Sequence, residues 1–547
     1  MRVSRRVMLI LVCLTLLAGA YGQDAAEGDG NSQPSLGDLA KALRDKRKPN
    51  VEVTQRDAKE LFGSLNEILT FASQASGLPK RATVKYQLIG KDEADRHFNE
   101  DLRDGAQTQR LLRTELVLKK FGMLPQDFDL KKTLMQAGAS GLAGYYDSRT
   151  KTMNLLNWID LDQQKPVMAH ELTHALQDQN YNLMTWKTAG APLDRKPRLQ
   201  IDGNEVNEVE ARIAAVEGQA TVVYVDYLLK PYGHSLGDSA EALDRLKNRI
   251  MNSYDSPVVV HNAPLVLKET TLFPYIDGLS FEIELLKRGG RRLAFAGAFA
   301  RPPRDTHEIM EPDAYLSRRR SAPLTIPDLS SALGNGYQPY DSGIVGELDV
   351  RIMAEQFGRE NDPYFLAPNW DGGAYIAVKK AEPGNKPAAE LSTADLGLVY
   401  VSRWKSREAA ERFAELYKGA LVKRSKVLNE EAVKSVSCPE QPAGCSPVWS
   451  AHLNTEQGRV AMEIWPGNVL LITQGLENQS IERVRNTVLD PGAGVKQASL
   501  TPQELSLRLM QFPAIQALQE RVLQQLQGFA ERQATSRRQL AAATGGR

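Results

Sequence analysis

Only three cysteines occur in 547 residues. That scarcity excludes a small disulfide scaffold and a cysteine-ligated zinc ribbon, so any metal in this chain must be held by histidine and carboxylates. Charge of one sign is also lacking: 68 Lys and Arg stand against 67 Asp and Glu, a net charge of +1. No global field draws in nucleic acid or anionic lipid, and a nucleic-acid partner is not expected. No nucleotide-binding glycine loop and no internal repeat is found. The composition is not extreme, with 42% hydrophobic and 25% charged residues, which excludes a polytopic membrane protein, a collagen-like chain and a wholly disordered one. At roughly 150 residues per domain the length suggests three or four folding units.

Residues 1–22, MRVSRRVMLILVCLTLLAGAYG, combine a positive start (Arg2, Arg5, Arg6), an apolar run from Val7 to Leu17 broken only by Thr15, and the small residues Ala18, Ala20 and Gly22. This is the pattern of a cleaved signal peptide, and the run falls short of the about 20 apolar residues that span a bilayer. The expected protein is exported, periplasmic or extracellular, with no membrane span after cleavage. Cys438 and Cys445 then remain within SCPEQPAGCSP, and in an oxidising compartment they are expected to brace that short loop as a disulfide.

Residues 23–50 read as a flexible leader. Apolar residues at helical spacing run from Thr54 to Gly77-Leu78-Pro79, followed by a strand over Thr83–Ile89 and a long charged helix over 91–121. Gly144–Asp147 and Met153–Leu156 flank Ser148–Lys151 as a β-hairpin. A helix is expected to start near Lys165-Pro166, a loop to fill 184–204, and further helices to cover 205–229, 237–253, 273–288 (ending at Gly289-Gly290) and 305–311. From about 365 the pattern changes: Ala374–Val378, Gly397–Ser402, Val448–Leu453, Val460–Trp465 and Val469–Thr473 are strand-like, with helices at 406–418 and 479–489 between them. The expected fold class is α+β: a mainly helical domain with a small edge-strand sheet over 51–362, a smaller mixed α/β domain over 363–495, and an amphipathic helix with a frayed tail over 496–547.

One stretch carries chemistry, PVMAHELTHALQDQ at 166–179. His170 and His174 are four apart, so on a helix they share a face and can offer imidazole nitrogens to one cation. Glu171, beside the first, is placed to act on a metal-activated water rather than to bind metal. Two histidines do not complete a site that typically has three protein ligands and one open position. No Gly and third His follow closely, which leaves a glutamate on a downstream helix. Glu205, Glu208, Glu210 and Glu217 are available. Glu217 shares a face with Ile213, Ala214, Ala220, Tyr224 and Leu228, where a carboxylate is costly unless paired or metal-bound. Gly218 beside it permits a close helix approach. Glu210, two turns earlier, is the runner-up, while Glu205 and Glu208 are expected to be solvated.

H170-E-L-T-H174 with a later E217-G-Q-A resembles the gluzincins, the thermolysin-like and aminopeptidase-like zinc peptidases. AGYYD at 143–147, VMAHELTHALQDQ and VEGQAT, with FPYIDGLSFEIEL at 273–285 and RPPRDTHEIMEPDAYL at 301–316, is similar to a little-characterised family of exported metallopeptidases, over roughly residues 55–490. Val216 stands where the usual pattern has Asn, Thr221 where thermolysin-like enzymes have Asp, and the aminopeptidase G-A-M-E-N motif is absent. The resemblance implies a zincin-like catalytic domain over 51–362. It also implies one catalytic Zn2+ on His170, His174 and Glu217, with Glu171 as general base in peptide-bond hydrolysis, as an endopeptidase. The strand at Ala143–Tyr146 would align an extended peptide or protein substrate by β-addition. An oxyanion stabiliser is also required; His307 and Tyr145, or its neighbour Tyr146, are the candidates, and Asp178 is placed to orient His174 or a neighbouring group, or to cap local backbone. Two other readings stand beside the peptidase: a catalytically idle zinc-containing binding protein of the envelope or extracellular space, and a zinc hydrolase of a non-peptide amide or ester. Oligomeric state is left open.

Overall fold

The computed structural model describes residues 55–96, 105–137, 144–157, 161–187, 197–201, 208–233, 235–236, 263–318, 324–381, 386–431, 436–438 and 441–490. The chain divides into two units, Met1–Val51 and Glu52–Arg547, and all of these residues belong to the second. The expected signal peptide, the leader, the helix at 237–253 and the segment 496–547 lie outside the described residues.

Helix α1 (Gln55–Ser76) buries Leu61, Leu65, Ile68, Leu69 and Ala72, three and four apart. It ends at Gly77, whose φ of 72° is the left-handed turn that glycine takes after a helix. Strand β1 (Lys85–Ile89) follows, then the helices α2 (Gly105–Phe121) and α3 (Leu130–Ala137). The expected helix over 91–121 is seen as helical residues 91–96 and as α2, with 97–104 outside the described residues. The hairpin forms where it was expected, as β2 (Gly144–Asp147) and β3 (Thr152–Leu156). The strand order is β1-β3-β2, with β1 parallel to β3 and β2 antiparallel at the edge.

Four helices carry the chemistry-bearing segments: α4 (Leu161–Tyr181), α5 (Leu183–Lys187), α6 (Glu208–Leu229) and α7 (Leu265–Arg292). Three differ from the expected pattern. Helix α4 begins at Leu161, so Pro166 is inside it rather than at its first turn, and the Gln164 amide ties the opening turns to the Leu156 carbonyl (3.0 Å). Helix α5 occupies the start of the expected loop at 184–204. Helix α7 starts eight residues before Phe273 and tolerates Pro274 in its interior, and Gly290 (φ 63°, ψ −168°) kinks the chain without ending the element. A π-helical turn, Leu293–Gly297, follows directly. Helices α1, α4, α6 and α7 pack in sequence through a core that includes Leu69, Leu172, Leu176, Ala214, Val222, Phe273 and Phe281.

Beyond α8 (Thr306–Met310) lies a seven-stranded sheet built from β4 (Tyr337–Ile344), β5 (Trp370–Lys380), β6 (Leu396–Trp404), β7 (Val427–Glu431), β10 (Trp449–Thr455), β11 (Gly458–Trp465) and β12 (Val469–Gln474), with helices α9 (Glu347–Phe357), α10 (Arg407–Arg424) and α11 (Asn478–Leu489) around it. The order is β4-β5-β6-β12-β11-β10-β7 and every neighbouring pair is antiparallel. Alternate residues feed two cores. Tyr375, Leu398, Tyr400, Met462 and Ile472 join Phe413 and Tyr417 of α10, while Ile376, Val399, Val401, Ala461 and Leu471 join Ile481 and Val484 of α11. With both faces covered, these strands read as continuous apolar runs, which is why they were legible. The five strands and two helices expected here are all present. A separate pair, β8 (Val436–Cys438) and β9 (Gln441–Cys445), sets Val436 opposite Cys445 and Cys438 opposite Gln441; the cysteine side chains lie outside the described residues.

The expected boundary at 362/363 is not a break in the packing. Strand β4 belongs to the sheet although it precedes that boundary, and Phe121 of α2 lies edge-on to Tyr375 (5.5 Å) and Tyr400 (5.6 Å) in the larger core. The buried Lys120 ammonium donates to the Thr393 carbonyl at 2.8 Å.

The sheet also holds a buried charge cluster. Glu463 accepts from Arg485 Nε (2.7 Å) and pairs with His452 Nε2 (2.8 Å); all three side chains are buried. His452 is thus a satisfied core histidine. Burial opposes ionisation of Glu463, but His452 and Arg485 hold its carboxyl below the usual carboxylate range. A lowered folded-state pKa contributes stability that is present at neutral pH and is lost as pH falls through that lowered value. Arg485→Met strands the carboxylate, and a loss of about 3–5 kcal/mol is expected in denaturant titration at pH 7. The loss should shrink in acid, where Glu463 is neutral.

Candidate metal centre

Helix α4 presents His170 and His174 on one face because they are one turn apart, and α6 crosses it to bring Glu217 between them. His170 Nε2 and His174 Nε2 lie 3.1 Å apart, and each lies 3.2 and 3.1 Å, respectively, from Glu217 Oε2. All three residues are within the buried part of the chain, with Glu217 the most open at 12% of its side chain. The three atoms therefore form a near-equilateral triangle. Ligand atoms about 2.0–2.1 Å from a tetrahedral ion are themselves about 3.3 Å apart, so the triangle has the size that one ion requires. His170 Nδ1 is buried with no hydrogen-bond partner, so no neighbour at that nitrogen fixes the ring's tautomer. The three residues could hold a metal ion, and they are the one such group among the described residues.

The choice of Glu217 follows from how α6 meets α7. A Cβ added to Gly218 would fall 2.3 Å from the Gly278 carbonyl oxygen, and one added to Gly278 would fall 2.3 Å from the Ala214 carbonyl oxygen. The two helices touch backbone to backbone at reciprocal glycines. That close approach lets α7 place Tyr275 over the site, its ring nearly parallel to His170 (6.1 Å) and its hydroxyl 3.4 Å from Glu217 Oε2. The other carboxylate oxygen, Oε1, lies 3.6 Å from Lys187 Nζ of α5. Burial resists the charge on Glu217, but His174, His170 and Lys187 hold its carboxyl well below the usual range. It stays an anion, as a ligand must. Glu210 is buried but outside the group; Glu205 and the Glu208 side chain lie outside the described residues.

Glu171 is buried beside the triangle, and its Oε2 accepts from the backbone N–H of Tyr146 at 2.8 Å. Burial raises its carboxyl, and the Glu217 charge adds to this, against the pull of the two imidazoles and the Tyr146 N–H. A carboxylate with raised proton affinity is what a general base at neutral pH needs. The edge strand β2 is thus coupled to Glu171 through its backbone.

The remaining sequence candidates are placed differently. Asp178 does not orient His174. Its carboxylate accepts from Tyr146 Oη (2.8 Å), Lys151 Nζ (2.6 Å) and the Leu183 N–H (3.0 Å) that opens α5. That local-capping and hairpin-anchoring role engages Tyr146 as well. Successive strand side chains alternate, so Tyr145 points to the face of β2 opposite the one on which Tyr146 reaches Asp178. His307, in α8 and capped by Asp305, pairs through Nδ1 with Glu347 Oε2 at the start of α9. Burial works against protonation of His307, but Glu347 raises its pKa, and burial pushes the Glu347 carboxyl up to about 7. His307 forms a dyad with Glu347 and is not a member of the triangle. Thr221 donates to the Glu217 carbonyl (2.8 Å) within its own helix.

Three neighbours of the site were not read from the sequence. Gln177, one turn beyond His174, carries a weak signal in its i+3 spacing. Tyr275 lay within a segment noted for resemblance without an assigned role. Lys187 had no pattern at all. No helix among the described residues is long and apolar enough to cross a membrane. Set against family models, curated proteins and solved structures, the chain matches none.

Proposed function

We propose that this chain is an exported zinc-dependent endopeptidase in which His170, His174 and Glu217 hold the metal and Glu171 is the general base. The observation that carries this reading is the triangle of two imidazole nitrogens and a carboxylate oxygen, all within 3.1–3.2 Å of one another, with a second carboxylate of raised proton affinity beside it. Two nitrogens and one oxygen in a tetrahedral spacing suit Zn2+ among the common divalent ions. When bound, such an ion supplies Lewis acidity toward a substrate carbonyl and a water. Glu171 takes the proton of that water and returns it to the departing amine. The Tyr146 N–H keeps the Glu171 carboxylate pointed at the site in the resting state, and the edge strand β2 offers backbone groups along which an extended peptide adds as a further strand. The Tyr275 hydroxyl, beside Glu217, is better placed than Tyr145 to donate to a developing oxyanion. His307, paired with Glu347, stays the other candidate for that role. Export rests on the 1–22 pattern, and a disulfide between Cys438 and Cys445 is part of the same proposal.

The test is hydrolysis of an unstructured protein such as casein by the chain lacking residues 1–22, with chelation and zinc restoration. Cleavage that disappears with chelator and returns with zinc supports the peptidase. A folded, zinc-loaded chain that leaves casein intact but hydrolyses small amides or esters favours the non-peptide hydrolase, and one inert to both favours the idle binding protein.

A further inference from the structure

Behind His174 runs a buried chain of amides whose polarity is fixed at its far ends. His174 Nδ1 lies 2.8 Å from Gln177 Oε1. The Gln177 Nε2 donates to the Val216 carbonyl (3.1 Å) and to Gln219 Oε1 (2.9 Å). The Gln219 Nε2 in turn donates to the carbonyls of Ala294 (2.9 Å) and Phe295 (3.3 Å), in the π-helical turn that follows the Gly290 kink. Gln177 is 0% and Gln219 1% exposed, so bulk solvent does not compete for these partners.

The direction of each bond follows from chemistry. Which end of a glutamine amide is oxygen is settled by its network, and here three backbone carbonyls, which only accept, terminate the network. Ala294 and Phe295 demand the Gln219 nitrogen, which turns the Gln219 oxygen toward Gln177. That oxygen and the Val216 carbonyl together demand the Gln177 nitrogen, which turns the Gln177 oxygen toward His174. An acceptor at that position requires hydrogen on His174 Nδ1. The Nε2 lone pair is then free to point at Glu217 and His170. Reversing Gln177 would set its oxygen against two acceptors and force the His174 hydrogen onto Nε2, in the middle of the triangle. His170 has no such device, since its Nδ1 lacks a partner.

We propose that Gln177 and Gln219 are positioning residues: an amide relay, anchored on the Ala294 and Phe295 carbonyls, that locks His174 in its metal-binding tautomer and ring orientation. The inference rests on the metal-centre reading and deepens it, since it makes the affinity of the site depend on a backbone turn well over a hundred residues from the histidines. Outer partners of a metal-ligating histidine typically matter about 10- to 100-fold in affinity.

The experiment measures zinc dissociation constants by chelator competition, and the visible spectrum of the cobalt-substituted protein, for the exported chain and for Gln177→Met, Gln177→Glu and Gln219→Met, with folding followed by circular dichroism. Gln177→Met is expected to bind zinc about 10- to 100-fold more weakly and to alter the cobalt spectrum. Gln177→Glu keeps an acceptor for the Nδ1 hydrogen but sets its second oxygen against the Val216 carbonyl and Gln219 Oε1, so it is expected to recover only part of that loss. Gln219→Met, which touches no ligand, is expected to weaken binding at least threefold, and it decides the matter if Gln177→Met fails to fold. Wild-type-like zinc affinity and cobalt spectrum in a folded Gln177→Met or Gln219→Met overturns the relay while leaving the metal centre intact. A wild-type chain that binds no zinc overturns both.

Discussion

Glu171→Gln is expected to keep its metal and lose its hydrolytic activity, by about 10²–10⁴-fold in the rate of casein cleavage. The substitution changes one oxygen to an amide nitrogen and removes the basic site, yet leaves the three ligand atoms untouched. Glu171 is a buried carboxylate beside the triangle without being a member of it, and its hydrogen-bond donor among the described residues is the Tyr146 N–H. The glutamine oxygen can still accept that bond, so the strand and helix stay in register and the protein should melt as the wild type does. The paired readouts matter. Loss of cleavage together with loss of zinc would mean that Glu171 supports the site structurally, and retention of cleavage would remove it from the chemistry.

The second large effect is expected at Gly218. A methyl group there cannot be placed without moving the Gly278 backbone, which lies 2.3 Å from the position it would take. Nothing flexible can yield, so α6 and α7 must separate. Overpacking of this kind costs about 1–3 kcal/mol, and sometimes more. The damage is not confined to stability, because Glu217 is the next residue and Tyr275 reaches it from the other helix. Gly218→Ala should therefore lower the denaturation midpoint and weaken zinc binding together. Gly63 is the control. It lies on the exposed side of α1 with nothing within 4 Å of its missing Cβ, so Gly63→Ala should stabilise by about 0.5–1 kcal/mol through helix propensity and leave zinc binding unchanged. If Gly218→Ala behaves as Gly63→Ala does, the close crossing is not what seats Glu217.

The two histidines were legible because a helix converts an i, i+4 spacing into proximity without any knowledge of the fold. Glu217 was legible through two local anomalies, a carboxylate in an apolar stripe and a glycine in mid-helix, and both proved to mark the α6–α7 crossing. Tyr275, Lys187 and the Gln219 end of the amide chain were not, since each reaches the site only through tertiary crossings that no local period encodes. Of the roles open to Asp178, capping of local backbone is the one seen, at the Leu183 N–H, while its partners Tyr146 and Lys151 come from the hairpin, which its own helix does not reveal. In the sheet, strands covered on both faces announced themselves as unbroken apolar runs. Strand β4 did not, because YQPYDSGI holds a proline and an aspartate. It sits at the sheet edge, and its register shifts between Pro339 and Asp341, the setting in which a strand accepts proline. That miss put the expected domain boundary past the start of the sheet, and β7 (VLNEE), at the opposite edge, was missed as well.

The central claim is that His170, His174 and Glu217 converge on one metal ion. It is tested most directly by the metal content of the purified chain after dialysis, measured by elemental analysis on the wild type, Glu217→Ala and Glu210→Ala. One equivalent of zinc in the wild type and in Glu210→Ala, with the ion lost from a folded Glu217→Ala, is the result expected. No bound metal in a folded wild-type chain, or full retention by Glu217→Ala, would contradict it.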